Sequence, residues 1–246
     1  MNKKRLKKRA KLLGEYGLNL IALSILTGLF SGVVVTFYNI LTGIGEQQSV
    51  KLYKLIAANP GFVPLLFLGL AAGAIIIGTA TRLIPMIRGS GVPQVEGAAR
   101  GILHFKWYSV MCSMFAASLA CVFMGLPAGS EGPSLELGGC AGDGVACMLR
   151  RSLMVRRLQI AAGSAAGLAA AFNAPVTGLS FAMEEAFRSF SAQVFTCSAI
   201  SVLVAVTVRN LVRSALGFSV GFTFTTFECA APEPMTYLWT AIAAVC

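Results

Sequence analysis

The sequence predicts an all-α protein that crosses a membrane several times, and three observations carry that expectation. Of its 246 residues 56% are hydrophobic and only 12% are charged, against the roughly 25% charged share of soluble domains. Uncharged stretches recur at 16–45, 55–81, 107–130, 158–183 and 189–208, and roughly 20 apolar residues suffice to cross the hydrocarbon core. No useful length of the chain alternates polar and apolar as a strand does. The 26 glycines and the alanine-rich run 161–171 instead suit close contacts between helices.

In chain order, helices are expected over 3–13, 16–46, 52–83, 91–100, 107–126, 132–148, 157–171, 176–187, 190–214 and 233–246. The first carries Lys3, Lys4, Arg5, Lys7, Lys8, Arg9 and Lys11. No small-residue cleavage site follows a short apolar core, so this segment reads as a retained basic helix and not a removable leader. Its charge places it on the cytoplasmic side, against anionic headgroups. The pieces 16–46 and 52–83 hold the first two long uncharged stretches, with 46–59 expected outside.

Two helices announce themselves by their first residues. Gly89-Ser90-Gly91-Val92-Pro93 precedes 91–100, and Gly129-Ser130-Glu131-Gly132-Pro133 precedes 132–148. Each combines a polar residue in the capping region, a flexible glycine and a proline near the first turn. The uncharged 107–126 runs up to the second start. Within 132–148 the apolar stretch is short and interrupted by Asp143, which predicts a tilted or partial helix shielded from lipid by protein. Asn173 and Pro175 mark a helix-to-helix corner between 157–171 and 176–187. The run 190–214 is the last long apolar helix before Pro232 and Pro234.

The net charge of +10 is an orientation signal and not a nucleic-acid signature. An up-down path puts Arg82, Arg88, Arg100, Lys106, Arg150, Arg151, Arg156 and Arg157 on the cytoplasmic side. Arg209 and Arg213 then fall outside, against the positive-inside rule. The seven cysteines, Cys112, Cys121, Cys140, Cys147, Cys197, Cys229 and Cys246, form no C-x-x-C pair and no metal-like spacing with the single histidine, His104. They read as free thiols acting as small hydrophobes, and His104 as an interfacial side chain. No metal-ligand set or nucleophile–base pair supports an embedded enzyme, and no cofactor is expected.

Glu131 is the informative charge. It ends the charge-free run 107–130, and an acid at membrane depth is a functional candidate by default. Helix N-termini there present unpaired N–H groups and a positive dipole end, which favour an anion. The Ser90 hydroxyl and neighbouring amides can replace the water of a chloride without trapping it as a fixed cation would. An ionised Glu131 carboxylate can compete for such a site, and a protonated one can leave it. Bland readings stand beside these: Ser90 as a helix cap, Glu131 as an acid complementing a helix dipole, and Glu185 with Glu184 and Arg188 as a solvated helix end. Glu96 reads as a buried structural carboxylate.

Three segments together resemble the CLC family of chloride channels and chloride/proton antiporters. Gly89 to Pro93 with Glu96 and Gly97 is similar to its G-S-G-I-P segment. Gly129 to Pro133, followed by Leu137-Gly138-Gly139, is similar to its G-R-E-G-P segment. Ala169-Ala170-Ala171-Phe172-Asn173-Ala174-Pro175 with Gly178, Phe181, Glu184 and Glu185 is similar to a third signature. The resemblance runs from about Leu18 to the end and covers only the first half of a full member.

It implies that 1–231 is the first of two inverted repeats, with a cytoplasmic basic N-terminal helix and with re-entrant or partial helices. Residues 232–246 would then be a linker and the truncated start of the second repeat. The anion segment and pore tyrosine of that second half are not supplied by Gly221-Phe222-Thr223-Phe224. The resemblance further implies chloride as the bound substrate, held by Ser90, Gly91, Ser130, Glu131 and Gly132. Glu131 would be the gate and Glu185 the inner proton-transfer group.

Two departures bear on the site. Ser130 stands where the family usually has arginine, and Glu136 where a neutral glutamine is common. The implied function is chloride/proton antiport in the cell membrane by a bacterial-type homodimer, paired through 175–188 and 190–208. Its partners would be chloride, protons and lipid, with no nucleic acid. The alternatives are a passive chloride channel of the voltage-gated type and a non-transporting membrane fragment or subunit.

Overall fold

A computed structural model describes residues 3–126, 129–187 and 191–218, with side chains from Gly17 onward. The described residues form eight α-helices: α1 (Lys3–Ala58), α2 (Val63–Leu83), α3 (Val92–Ala99), α4 (Trp107–Phe123), α5 (Glu131–Met148), α6 (Leu153–Phe172), α7 (Pro175–Phe181) and α8 (Ala192–Ala215). The expected helix 233–246, the boundary at 231/232, Pro232, Pro234 and 221–224 lie outside the described residues.

The first two expected helices are one. α1 runs unbroken for 56 residues, because isolated glycines such as Gly14 and Gly17 cost only about 1 kcal/mol each and no proline intervenes. The first real break is at Asn59-Pro60, where proline withdraws an N–H and biases Asn59 away from helical dihedrals. The expected piece 52–83 is therefore divided between the end of α1 and α2. Among the described residues three stretches are long and apolar enough to cross a membrane: Gly17–Ala58, Pro60–Leu83 and Ala192–Ala215; Trp107–Phe123 is apolar but shorter.

The centre of the molecule is the antiparallel pair α5 and α6, most of whose residues are buried. Small residues at four-residue intervals let the backbones touch. A Cβ on Gly138 would lie 2.3 Å from the Gly163 carbonyl oxygen, one on Gly167 would lie 2.3 Å from that of Ser134, and one on Gly142 would lie 1.9 Å from that of Gln159. Small-residue seams of this kind are how helices associate where no water drives burial. α1 and α8 pack in parallel on the same plan, with Gly28 against Ser201 and Gly32 against Ala205.

Buried hydrogen bonds tie these pairs together. Gln159, 0% exposed, accepts from Thr27 at 2.8 Å and donates to Ser24 at 3.3 Å. Ser201 donates to the Ser24 carbonyl at 2.8 Å, and Ser31 to that of Gly163 at 3.1 Å. Asp143 and Arg156 join α5 to α6 by a bidentate pair at 2.7 and 2.9 Å, the geometry that best repays the loss of water around both charges. α2, by contrast, buries none of its residues.

Arg209 is only 2% exposed and donates to Asn210 at 3.0 Å. It is thus a packed interior group and not one of the loop charges that set orientation.

Candidate functional site

The two glycine–proline starts meet face to face. Gly89 (φ +92°) and Gly91 (φ +83°) take left-handed dihedrals, which L-residues with a Cβ avoid. They turn the chain from Arg88 into α3, with Gly91 as its N-cap and the Val95 N–H bonding back to the Gly91 carbonyl at 3.1 Å. α5 begins at Glu131, with Gly132 and Pro133 in its first turn. A Cβ on Gly132 would lie 1.6 Å from the Ser90 carbonyl oxygen, and one on Gly91 would lie 2.7 Å from the Gly132 carbonyl oxygen. Only glycine fits at this crossing.

Two clefts border the crossing. The smaller, about 400 Å³, is lined by Thr81, Ser118, Cys121, Gly129, Ser90, Glu131 and Gly132 among others. The larger, about 550 Å³, is lined by Ser90, Glu131, Gly132, Phe172, Ser180, Glu184 and Glu185 among others. Ser90, Glu131 and Gly132 line both. The shared wall thus carries a hydroxyl, a carboxylate and the start of a helix, and the larger cleft holds two further carboxylates.

Neither expected capping bond forms. Ser90 precedes the N-cap of α3, and Ser130, the N-cap of α5, makes no side-chain cap bond. Ser90 is exposed to the clefts, and its hydroxyl is not used by the helix. Glu131, expected at depth, is exposed. The described residues leave that side of the clefts open.

Glu184 and Glu185 sit where α7 widens. Residues Ala182–Ala186 form a π-turn, with the Phe187 N–H donating to the Ala182 carbonyl at 3.2 Å. Such turns insert one extra residue and re-aim the side chains that follow. No sequence signal for it was read. Both carboxylates are exposed. Arg188, the expected partner of Glu184, lies outside the described residues. The corner before α7 is as expected: Asn173 takes φ 56° and caps α6, the Ala174 N–H bonds the Ala169 carbonyl at 3.2 Å, and Pro175 starts α7.

Glu96 is not an isolated buried acid. It pairs with Arg100 at 2.7 Å, one turn along α3. Cys112, Cys121, Cys140, Cys147 and Cys197 are free thiols; Cys229 and Cys246 lie outside the described residues. Sequence reasoning missed the isolation of Glu136. Buried at 2% exposure on α5, it has no hydrogen-bond partner among the described residues at either carboxylate oxygen.

Long apolar helices around a pair of small-residue helices, with irregular backbone meeting where it lines clefts, define an integral membrane protein. The chain belongs to the CLC family: the family profile described as "Voltage gated chloride channel" matches residues 72–246. It is 30% identical over 199 residues to the H(+)/Cl(-) exchange transporter ClcA of Vibrio cholerae, covering 79% of this chain and 42% of that protein. The ClcA of Vibrio vulnificus is 28% identical over 206 residues, covering 82% and 44%.

Among solved structures, a slow cyanobacterial Cl⁻/H⁺ antiporter superposes with a TM-score of 0.71 at 26% identity, covering 91% of this chain and 52% of that one. A eukaryotic CLC transporter shares the fold, with a TM-score of 0.65 at 20% identity over 94% of this chain and 41% of that one. The chain spans about half the length of the relatives it matches.

Proposed function

We propose that this chain is the first half of a chloride/proton antiporter, with chloride held at the Ser90–Gly91 and Ser130–Glu131–Gly132 crossing. Glu131 gates that site and Glu185 hands protons to it from the cytoplasmic side. The observation that carries the reading is the sharing of Ser90, Glu131 and Gly132 by two clefts, one of which reaches Glu185. An ion moving between the clefts passes the residues they share, and a carboxylate there competes with it for the same donors while ionised. Protonation removes the competition, so each proton delivered to Glu131 opens the site to an anion. The named relatives, called H(+)/Cl(-) exchange transporters, fit this reading.

The test uses the complete transporter, with both halves of the fold, reconstituted in liposomes. Under a chloride gradient, chloride and pH are recorded together. The unmodified protein should move protons with chloride. Glu131→Gln should abolish proton movement and alter chloride flux, whereas Glu185→Gln should leave chloride flux while proton movement disappears. Proton uptake retained in Glu185→Gln would remove its assigned role. Chloride flux without proton movement in the unmodified protein would make it a passive channel.

A further inference from the structure

α5 holds two acids whose side chains are each 2% exposed, and they are treated differently. Asp143 is answered by two hydrogen bonds from Arg156. Glu136, two turns earlier, is answered by none among the described residues. An ionised carboxylate with no partner in an apolar interior is costly, and breaking the isolation takes a cation or a proton.

Its surroundings place it at the back of the candidate anion site. A Cβ on Gly91 would lie 3.0 Å from Glu136 Oε2 and 2.7 Å from the Gly132 carbonyl oxygen, so the carboxyl abuts the backbone that joins Ser90 to α3. Glu136 lines neither cleft. It therefore acts on the crossing through its charge and not by touching an ion there.

The elements packed against α5 are α1, α3, α4 and α6, and none of their described ionisable groups bonds Glu136. Tyr38 of α1 turns its hydroxyl to Ser118 of α4. Glu96 of α3 pairs with Arg100, and Arg156 of α6 with Asp143. Glu46, Lys51 and Lys54 lie toward the C-terminal end of α1, Cys112 and Cys121 on α4, and Arg157 beside Gly101. Cys140, one turn along α5, is a buried thiol.

We propose that Glu136 is a second, internal proton site of the anion pathway, at which proton binding and anion occupancy of the Ser90–Glu131 crossing favour one another. The proposal rests on the anion-site reading above. Ionised, Glu136 repels an anion held by the Ser90–Gly91 backbone; having taken a proton from water, it does not. By linkage, an anion at the crossing raises the proton affinity of Glu136 by the same factor, on the order of tenfold for like charges within one helical turn or two of each other. Chloride affinity accordingly falls as pH rises through the titration of Glu136, and chloride binding takes up protons.

The experiment removes the gate's own titration first. Chloride binding and accompanying proton uptake are measured by calorimetry in buffers of different ionisation enthalpy, over a pH series, on the complete transporter. The proteins are the unmodified one, Glu131→Gln, and Glu131→Gln with Glu136→Gln. Glu131→Gln should still take up protons on binding chloride, with affinity falling about tenfold toward high pH. The double variant should bind chloride with no such uptake and a flat pH profile. Chloride binding without proton uptake in Glu131→Gln overturns the proposal whether or not the double variant folds, and uptake unchanged in the double variant assigns it to another acid and overturns it too. Failure of the unmodified protein to bind chloride at all would instead overturn the anion-site reading, and this inference with it.

Discussion

At Gly132 a single hydrogen in place of a methyl group decides whether the two loops can meet. Gly132→Ala puts a Cβ 1.6 Å from the Ser90 carbonyl oxygen, so one backbone must move by more than an ångström. The expected outcome is a loss of about 1–3 kcal/mol in stability, read as a lowered melting temperature in detergent. Chloride affinity should fall at least about tenfold, because a misplaced donor loses most of a hydrogen bond. Unchanged chloride affinity would show that the crossing does not hold the anion. The sequence made Ser90, Glu131 and Gly132 legible, because glycine, proline and a lone acid in an apolar run each have a stated physical use. It did not make their exposure legible, since exposure depends on what covers the clefts. Nor did it distinguish Glu136 from Asp143: both are acids on one helix, and only the fold brings Arg156 to one of them.

The α5–α6 pair shows the same logic along whole helices. Four-residue spacing of Ser134, Gly138 and Gly142 against Gln159, Gly163 and Gly167 makes a seam in which backbone meets backbone. Gly163→Val would drive side-chain atoms into the Gly138 carbonyl, which a Cβ alone already approaches to 2.3 Å. Its cost should exceed about 3 kcal/mol, enough to abolish folded protein at ordinary temperature. Gly43, with open space around its Cβ position, is the control: Gly43→Ala should be neutral or gain up to about 1 kcal/mol from helix propensity. Size-exclusion profiles and thermal melts of the two variants check both halves, and a folded Gly163→Val would refute the seam. Most helices were legible as uncharged runs between proline, glycine and charge. The exceptions have local causes. Nothing between 14 and 51 was strong enough to stop α1, whereas Pro60 was. The π-turn at Ala182–Ala186 follows α7, whose Gly178 meets Ala165 of α6, and leaves no mark on the residue pattern.

Across the whole molecule the exposed apolar surface has more than one destination. α2 presents Leu65, Phe67, Leu68, Ile75 and Ile76, each 63–68% exposed, and the clefts at Glu131 are open on a side the described residues do not cover. A second surface runs along α7 and α8, where Val176, Phe195, Leu203 and Leu211 are 76, 49, 62 and 65% exposed. We propose that this second surface pairs two copies of the complete protein about a two-fold axis. The family resemblance of 175–188 and 190–208 points to it, although Arg188 and Phe190 lie outside the described residues. In a two-fold contact a residue near the axis meets its own copy, so one cysteine per chain is enough to report it. With the exposed thiols of Cys112 and Cys147 replaced by serine, Phe195→Cys or Leu203→Cys should give a disulfide-linked dimer on a non-reducing gel. Ile75→Cys, on α2, should not. The link should form in membranes before extraction and also form in mild detergent at high dilution, where collisions between separate copies are rare. Uniformly monomeric protein by light scattering in several mild detergents, with no link from either α8 position, would assign the α7–α8 surface to lipid.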